Sequence, residues 1–492
     1  MKKIYPLIYI ALFASLISCR KSFLEIVPLG NLIATTTNDY DQLMNDVRFY
    51  LPGYGTYGGW QEPVLMGDEA AALSVYFDQG YPPPVLTGRL FRWEDIIYQQ
   101  GDPVQFSPQF LTLSMGDLYA LNKIINEVMG SSGGTTAQKS SIRGEALATR
   151  AFINFELINY YAKPYVSATA ATDPGFPIID KADVNAVKFD RGSVQGMYDF
   201  IIRDITEAIK VLPIRQVSPT RMSKAAAEGL LAKVYLFMGR YNDALPLLNA
   251  AFSDLAPGGI RLYDYNLEFA PGGSFLPIDP VNGPNSPGNN RNDMTEAIVS
   301  KVFYNASFNP SYPTKGLVLA PQVAALYDAQ DLRLKLYTST GTDGVAQPEG
   351  LLRKYVTYSR FGLQLPELYL LSAECKARLN DLGGAKTDIE TLRRHRMPVE
   401  AAVVPPAIAG DQTALVKFVI DERTREFAME GYRWFDMRRL SVDPIFAGLT
   451  FTHIFYNADG STTVYTLDQS KRLVLQLPLT FIQANPGMQN NP

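Results

Sequence analysis

The chain has 492 residues, 47% of them hydrophobic and 12% aromatic, enough to bury a large core. Its 45 basic residues are balanced by 49 acidic ones, for a formal charge of -4, which lacks the basic footprint of a nucleic-acid-binding protein.

Lys2 and Lys3 precede an apolar run over residues 4–17, broken only by Tyr5, Pro6, Tyr9 and Ser15. This is the pattern of a secretory signal, too short to span a bilayer, which takes about 20 apolar residues. Leu16-Ile17-Ser18-Cys19 resembles a bacterial lipobox. The resemblance implies a signal peptide over residues 1–18 and a mature chain, 19–492, whose first residue Cys19 is acylated. Several acyl chains on one residue anchor durably, at about 0.8 kcal/mol per buried CH2. Cys375 is then the only other thiol, which leaves no intramolecular disulfide, and its apolar helical setting reads as a small buried hydrophobe.

Residues 39–47 look helical. The stretch 51–108 that follows is rich in Gly, Pro and aromatics and reads as a long loop. Leu147, Ala151, Phe155 and Ile158 form the apolar face of a helix. Met197, Ile201, Ile205, Ala208 and Leu212 form another, capped by Ser193 and ended by Pro213. A third, capped by Ser223, carries Ala227, Leu230, Leu231, Val234 and Met238. Residues 227–244 and 367–385 form a weak internal repeat. Ala232 and Ala244 are twelve apart, as are Ala373 and Ala385, and Gly239 and Asn380 each lie seven after the first alanine. Small residues at those places let paired helices approach, and Gly or Asn suits the turn between them. This is the spacing of a tetratricopeptide-like helix pair. Residues 271–293 and 398–410 read as further loops. Residues 451–477 alternate in places like strands, with Asn457-Ala458-Asp459-Gly460 as the turn.

Recognisable catalytic chemistry is sparse. Residues 53–58, GYGTYG, fit G-x-G-x-x-G, but neither a preceding strand nor a following helix frames them, so no dinucleotide cofactor is expected. There is no Walker A lysine, G-x-S-x-G or H-E-x-x-H. The two histidines, His395 and His453, lack metal-ligand spacing, and no EF-hand loop is visible, so no metal site is assigned. Glu422, Glu426 and Glu430 recur every four residues along an expected helix. Paired carboxylates suit glycoside hydrolysis, but such pairs usually come from separate elements across a cleft. Three on one face repel unless neutralised, and Arg423, Arg425, Arg433, Arg438 and Arg439 are near in sequence. A structural ion-pair network is the expected reading.

Six segments, in order, carry a family resemblance. They are Phe23-Leu24-Glu25 with Pro28; Leu118-Tyr119 with Ile124, Ile125 and Asn126; Gly144-Glu145-Ala146 with Arg150-Ala151, Phe155 and Tyr161; Leu365-Pro366-Glu367-Leu368-Tyr369-Leu370 with Ala373-Glu374; Asp421-Glu422-Arg423 with Glu426-Phe427, Glu430-Gly431 and Arg433-Trp434-Phe435-Asp436; and Leu477-Pro478 with residues 485–490, NPGMQN. Together they resemble the SusD/RagB family of outer-membrane nutrient-binding lipoproteins over nearly the whole mature chain. One departure is the basic Arg20-Lys21 after Cys19, where many surface-exposed relatives carry acidic residues.

The resemblance implies a mainly α fold. Tetratricopeptide-like helix pairs form a scaffold bearing long irregular ligand-binding loops and a few short strands. It implies a single domain, with an N-terminal SusD-like region over about 20–215 and a C-terminal SusD/RagB region over about 265–492. It also implies a lipid-anchored protein of the outer membrane, facing outward, that binds oligosaccharides (peptides in some relatives). The cargo passes to a SusC-like TonB-dependent transporter, with no catalysis and no cofactor. The alternative kept in view is a lipid-anchored glycoside hydrolase using the same carboxylates. Glu422, Arg423, Glu426, Glu430, Gly431, Arg433 and Trp434 are expected to be structural.

Sugar rings stack their C–H faces on aromatic rings while polar neighbours take their hydroxyls. The family's contacts are expected from the 54–98 region and from a second-half loop. The candidates are therefore Trp60, Trp93, Tyr76, Tyr81, Asp68 and Arg89, with Tyr263 and Tyr265. Trp60 and Trp93 lead, and replacing both by alanine should abolish binding while sparing stability.

Overall fold

The computed structural model describes residues 34–51, 61–77, 85–102, 109–183, 185–186, 188–256, 259–305, 316–341, 343–348 and 350–492. Cys19, Trp60 and Tyr81 lie outside the described residues. The protein is mainly helical. Nine helices matter for the site: α1 (Gln109–Glu127), α2 (Thr136–Tyr161), α3 (Val194–Ile209), α4 (Lys224–Phe237), α5 (Tyr241–Leu255), α6 (Leu365–Arg378), α7 (Leu382–Arg394), α8 (Gln412–Phe427) and α9 (Arg433–Leu440). From α1 to α7 each packs on the next, and α8 returns onto α6.

The start signals are local. Thr135 and Gln138 close a capping box on α2, and Ser193 and Ser223 cap α3 and α4 through their hydroxyls. Leu147, Ala151, Phe155 and Ile158 on α2 are buried against α3, whose Met197, Ile201, Ile205 and Ala208 are buried in turn. On α4, Gly229 lets the helix approach closely, since a Cβ there would stand 2.4 Å from Leu363 Cδ2.

The internal repeat is real in three dimensions. α4 with α5, and α6 with α7, are equivalent hairpins, and Ala232, Ala244, Ala373 and Ala385 are fully buried. At the turns Gly239 has φ +73° and Asn380 φ +65°. Arg240 N–H donates to Tyr235 O at 2.8 Å and Asp381 N–H to Lys376 O at 2.8 Å. These are corresponding bonds of the motif that ends a helix on a left-handed residue.

The strands knit distant parts together. One sheet runs in the order Thr462–Thr466, Thr452–Tyr456, Ala70–Leu73, Leu317–Leu319. Ala70–Leu73 pairs in parallel with Thr452–Tyr456 and antiparallel with Leu317–Leu319. The hairpin of Thr452–Tyr456 with Thr462–Thr466 turns at Gly460, φ +85°. Three two-stranded ribbons complete the set: Ala297–Val299 with Leu363–Gln364, Val302–Tyr304 with Tyr358–Arg360, and Tyr337–Thr338 with Arg353–Lys354.

Two expectations need correction. The 51–108 stretch is not one loop: its described residues 61–77 and 85–102 contain short helices and the Ala70–Leu73 strand, with Val64, Ala70, Ala71, Ala72, Phe77 and Phe91 in the core. Runs such as AAAL are too short to show a period of their own. The second concerns Glu430, which is not on the helix of Glu422 and Glu426. α8 ends at Phe427, where Ala428 turns extended and Met429 and Gly431 adopt φ +64° and +92°.

Candidate functional site

Several residues named from the sequence are structural supports. Trp93 is only 6% exposed, and its indole N–H donates to Met66 O at 3.1 Å. Its ring stacks 3.8 Å from His453, whose other face stacks on Phe91 at 4.2 Å. Both ring nitrogens of His453 face backbone carbonyls, of Phe91 and Gly67. The expectation that Trp93 is a free platform is therefore corrected: the large ring fills the core, and a buried carbonyl satisfies its one polar atom. Arg89 grips Asp102 through two bonds, of 2.6 and 3.2 Å, and also Ile97 O. Asp68 accepts from Arg433 at 2.6 and 3.1 Å. Asp68 is thus tied to Arg433, and Arg89 holds residues 97 and 102, so both side chains are already engaged. Tyr76 lies on the short helix Ser74–Phe77, with its side chain outside the described set.

The carboxylates Glu422 and Glu426 are held by arginines. Glu422 accepts from Arg333, Arg393 and Arg425 at 2.7–2.8 Å. Burial alone would raise its pKa, but Arg425, Arg333 and Arg393 outweigh that and hold it far below the carboxylate range. Glu426 accepts from Arg333 and Arg396 at 2.8 Å each, and burial is again outweighed, so its pKa is lowered. Glu430 pairs with Lys354 at 2.5 Å. Neither helix carboxylate is left as a proton donor near neutral pH. Of the arginines near in sequence, only Arg425 neutralises this trio. Arg423 and Arg439 serve Asp436, Glu367 and Glu374, Arg433 serves Asp68, and Arg438 donates to Ala162 O. Trp434 is fully buried, and Gly431 sits where a Cβ would strike the Gln61 amide at 2.7 Å. Among the described residues no group of three His, Cys, Asp or Glu is placed to hold a metal ion, and no helix is long and apolar enough to cross a membrane.

Above this ion-pair layer lies a cavity of about 60 Å³. Tyrosines Tyr265, Tyr337, Tyr355 and Tyr358 line it, with Arg360 and Gln364. The Tyr337–Thr338 and Tyr358–Arg360 ribbons bring in Tyr337, Tyr358 and Arg360. The 279–283 turn closes over Tyr355: Tyr355 OH donates to Pro280 O at 2.9 Å, and at Gly283, φ +87°, a Cβ would stand 2.4 Å from the Tyr355 ring. Next to the cavity, Tyr304 and Tyr358 pair across their ribbon with ring centroids 5.4 Å apart, and both are half-buried.

Val302 N–H donates to Tyr50 O, Leu73 N–H to Gly316 O, and Gln61 Nε2 to Glu430 O. Of the sequence candidates, Tyr265 lines the cavity. Tyr263 stands behind it in a small aromatic cluster with Tyr265, Phe269 and Phe275, its hydroxyl on Asp293 and Thr295. Sequence reasoning missed Tyr337, Tyr355, Tyr358, Arg360 and Gln364. The signal was present in the run RKYVTYSR, residues 353–360, just before the Leu-Pro-Glu-Leu-Tyr-Leu segment.

Comparison with known proteins gives a consistent picture. Residues 109–236 match the family described as "Starch-binding associating with outer membrane", and residues 348–492 match the SusD family. SusD-like protein P2 of Formosa agariphila is 23% identical over 542 residues, covering 100% of both chains. A SusD superfamily crystal structure from Bacteroides thetaiotaomicron superposes with TM-score 0.69 at 20% identity, covering 93% of this chain and 100% of that one. A laminarin-binding SusD-like protein superposes with TM-score 0.58 at 16% identity, covering 93% and 100%. These structural likenesses speak to the fold, which is the mainly helical one described above. Two SusD-family matches along one chain, with a SusD-like relative aligned over its full length, support a SusD/RagB family protein.

Proposed function

We propose that this protein is an outer-membrane lipoprotein, anchored through Cys19, that captures oligosaccharides and passes them to a TonB-dependent transporter without altering them. The observation that carries this reading is the tyrosine-lined cavity beside the Tyr304–Tyr358 pair. Aromatic faces and polar donors stand together there, on a scaffold fixed by ion pairs. Arginine pairing of Glu422 and Glu426 argues against glycosidase chemistry, which needs one carboxyl protonated near working pH. The starch-binding description of the matched family and the laminarin ligand of one structural neighbour support a glycan over a peptide. Anchoring rests on the signal-like first 18 residues and on Cys19.

The test is calorimetric titration of the mature lipoprotein in detergent against neutral and acidic oligosaccharides and mixed peptides, with a reducing-end assay run alongside. Saturable glycan binding without turnover, weakened by Tyr358→Ala, is the expected result. Turnover, or binding of peptides alone, refutes the reading. Loss of radiolabelled palmitate incorporation in Cys19→Ala tests the anchor.

A further inference from the structure

Arg360 ends the Tyr358–Arg360 strand and is 7% exposed. Its Nη2 donates to two backbone carbonyls, Pro287 O at 2.9 Å and Asn290 O. Nε and Nη1 have no hydrogen-bond partner, and neither does Nε2 of Gln364, itself 5% exposed. Both side chains line the same cavity.

The other cations of the lining are committed to carboxylates: Arg333 to Asp331, Glu422 and Glu426, Lys354 to Glu430, and Arg425 to Glu422. Among the described residues Arg360 is the lining cation without one. Asp293, Glu430 and Glu296 act on it through space, but their own partners are Tyr263, Lys354 and Arg396 respectively. An arginine stays charged even where burial opposes it. A buried guanidinium with unfilled donors is costly unless an anion completes it, and its planar fork suits a carboxylate or sulfate.

Size narrows the occupant. A cavity of about 60 Å³ is well short of the roughly 150 Å³ that takes a benzene ring, leaving room for one charged substituent but not for a sugar ring. The ring must lie outside, where the half-buried Tyr304–Tyr358 pair offers an aromatic surface.

We propose that Arg360 and Gln364 form a subsite for an anionic substituent, a carboxylate or a sulfate ester, on the captured oligosaccharide. This rests on the capture reading given above. Acidic glycans are thereby favoured over neutral ones of the same backbone.

The test uses the mature lipoprotein in detergent and two matched pairs of probes. One is oligoglucuronides before and after reduction of their carboxylates to alcohols. The other is sulfated galacto-oligosaccharides before and after desulfation. Removing the charge is expected to weaken binding roughly ten- to a hundredfold, the range for hydrogen bonds to a charged group. Arg360→Met and Gln364→Leu should each erase or shrink that difference, weakening the charged member of a pair far more than the neutral one. Gln364→Leu guards against an unfolded Arg360 variant, because Arg360 also holds the 287–290 turn. A response confined to one pair names the carboxylate or the sulfate as the group read. Equal binding of charged and neutral members, or variants that weaken both alike, overturns the subsite and leaves glycan capture standing. If no oligosaccharide binds, capture itself fails and the subsite falls with it.

Discussion

Replacing Trp93 by alanine separates a structural from a ligand-contacting role. The indole is 6% exposed, donates its N–H to Met66 O and covers one face of His453. Truncating a buried tryptophan to alanine costs about 3–5 kcal/mol through lost burial and the cavity left behind. The orphaned Met66 carbonyl adds about 1 kcal/mol where water cannot reach it. The sum, about 4–6 kcal/mol, is a large part of the about 5–15 kcal/mol that holds most domains folded. Urea unfolding followed by circular dichroism should show a large fall in midpoint with an unchanged slope. A parental midpoint combined with lost glycan affinity would refute the reasoning and restore Trp93 as an exposed platform.

Other perturbations test other parts of the argument. Glu422→Gln strips the shared carboxylate from Arg333, Arg393 and Arg425 and should destabilise by about 3–5 kcal/mol, the cost of unpairing buried charges, as read by denaturant midpoint. A loss under 1 kcal/mol would mean the three arginines find other partners. Burial, then the neighbouring Asp68, pushes the Glu69 carboxyl up to about 8. Its folded pKa therefore exceeds the unfolded value of 4.5, so its contribution is full below about pH 4.5 and is lost as pH rises through 8. Glu69→Gln should flatten the urea midpoint between pH 5 and 9, and a profile parallel to the parent's would count against this assignment. Gly239→Ala forces a Cβ into φ +73° and should cost about 1–2 kcal/mol by thermal or urea unfolding, while Asn380→Gly at the equivalent turn should be neutral or stabilising. Equal effects at both turns would mean the repeat is not equivalent.

The scaffold was readable because helix faces recur at a fixed period and their caps are local: Ser193, Ser223, Gly239 and Asn380 do in space what their spacing implies. Trp93 was misread because glycine- and proline-rich surroundings suggest exposure. Its partner His453 lies far along the chain, where no local pattern reports it. The glutamates of α8 were legible as a network, but Arg333, Arg393 and Arg396 reach them from other elements. Tyr265, expected from the family's second-half contacts, lines the cavity. Arg360 and Gln364 were not expected, because two-residue ribbons leave no periodic trace and only the register of 302–304 against 358–360 brings Tyr304 beside Tyr358.

The Ala70–Leu73 strand lies between a neighbour from the middle of the chain and one near its end, and Gly67 O meets His453 across 386 positions. This layout sets an order of assembly. The helical hairpins from α2 to α7 close through short-range contacts and can form as the chain emerges. The layer holding residues 64–77 and 85–93 must wait for the last tenth of the sequence. Long-range closure of this kind is slow, and until it occurs a band of apolar residues lies uncovered. Shortening the chain before residue 452 leaves the early strand without its parallel partner and this layer open.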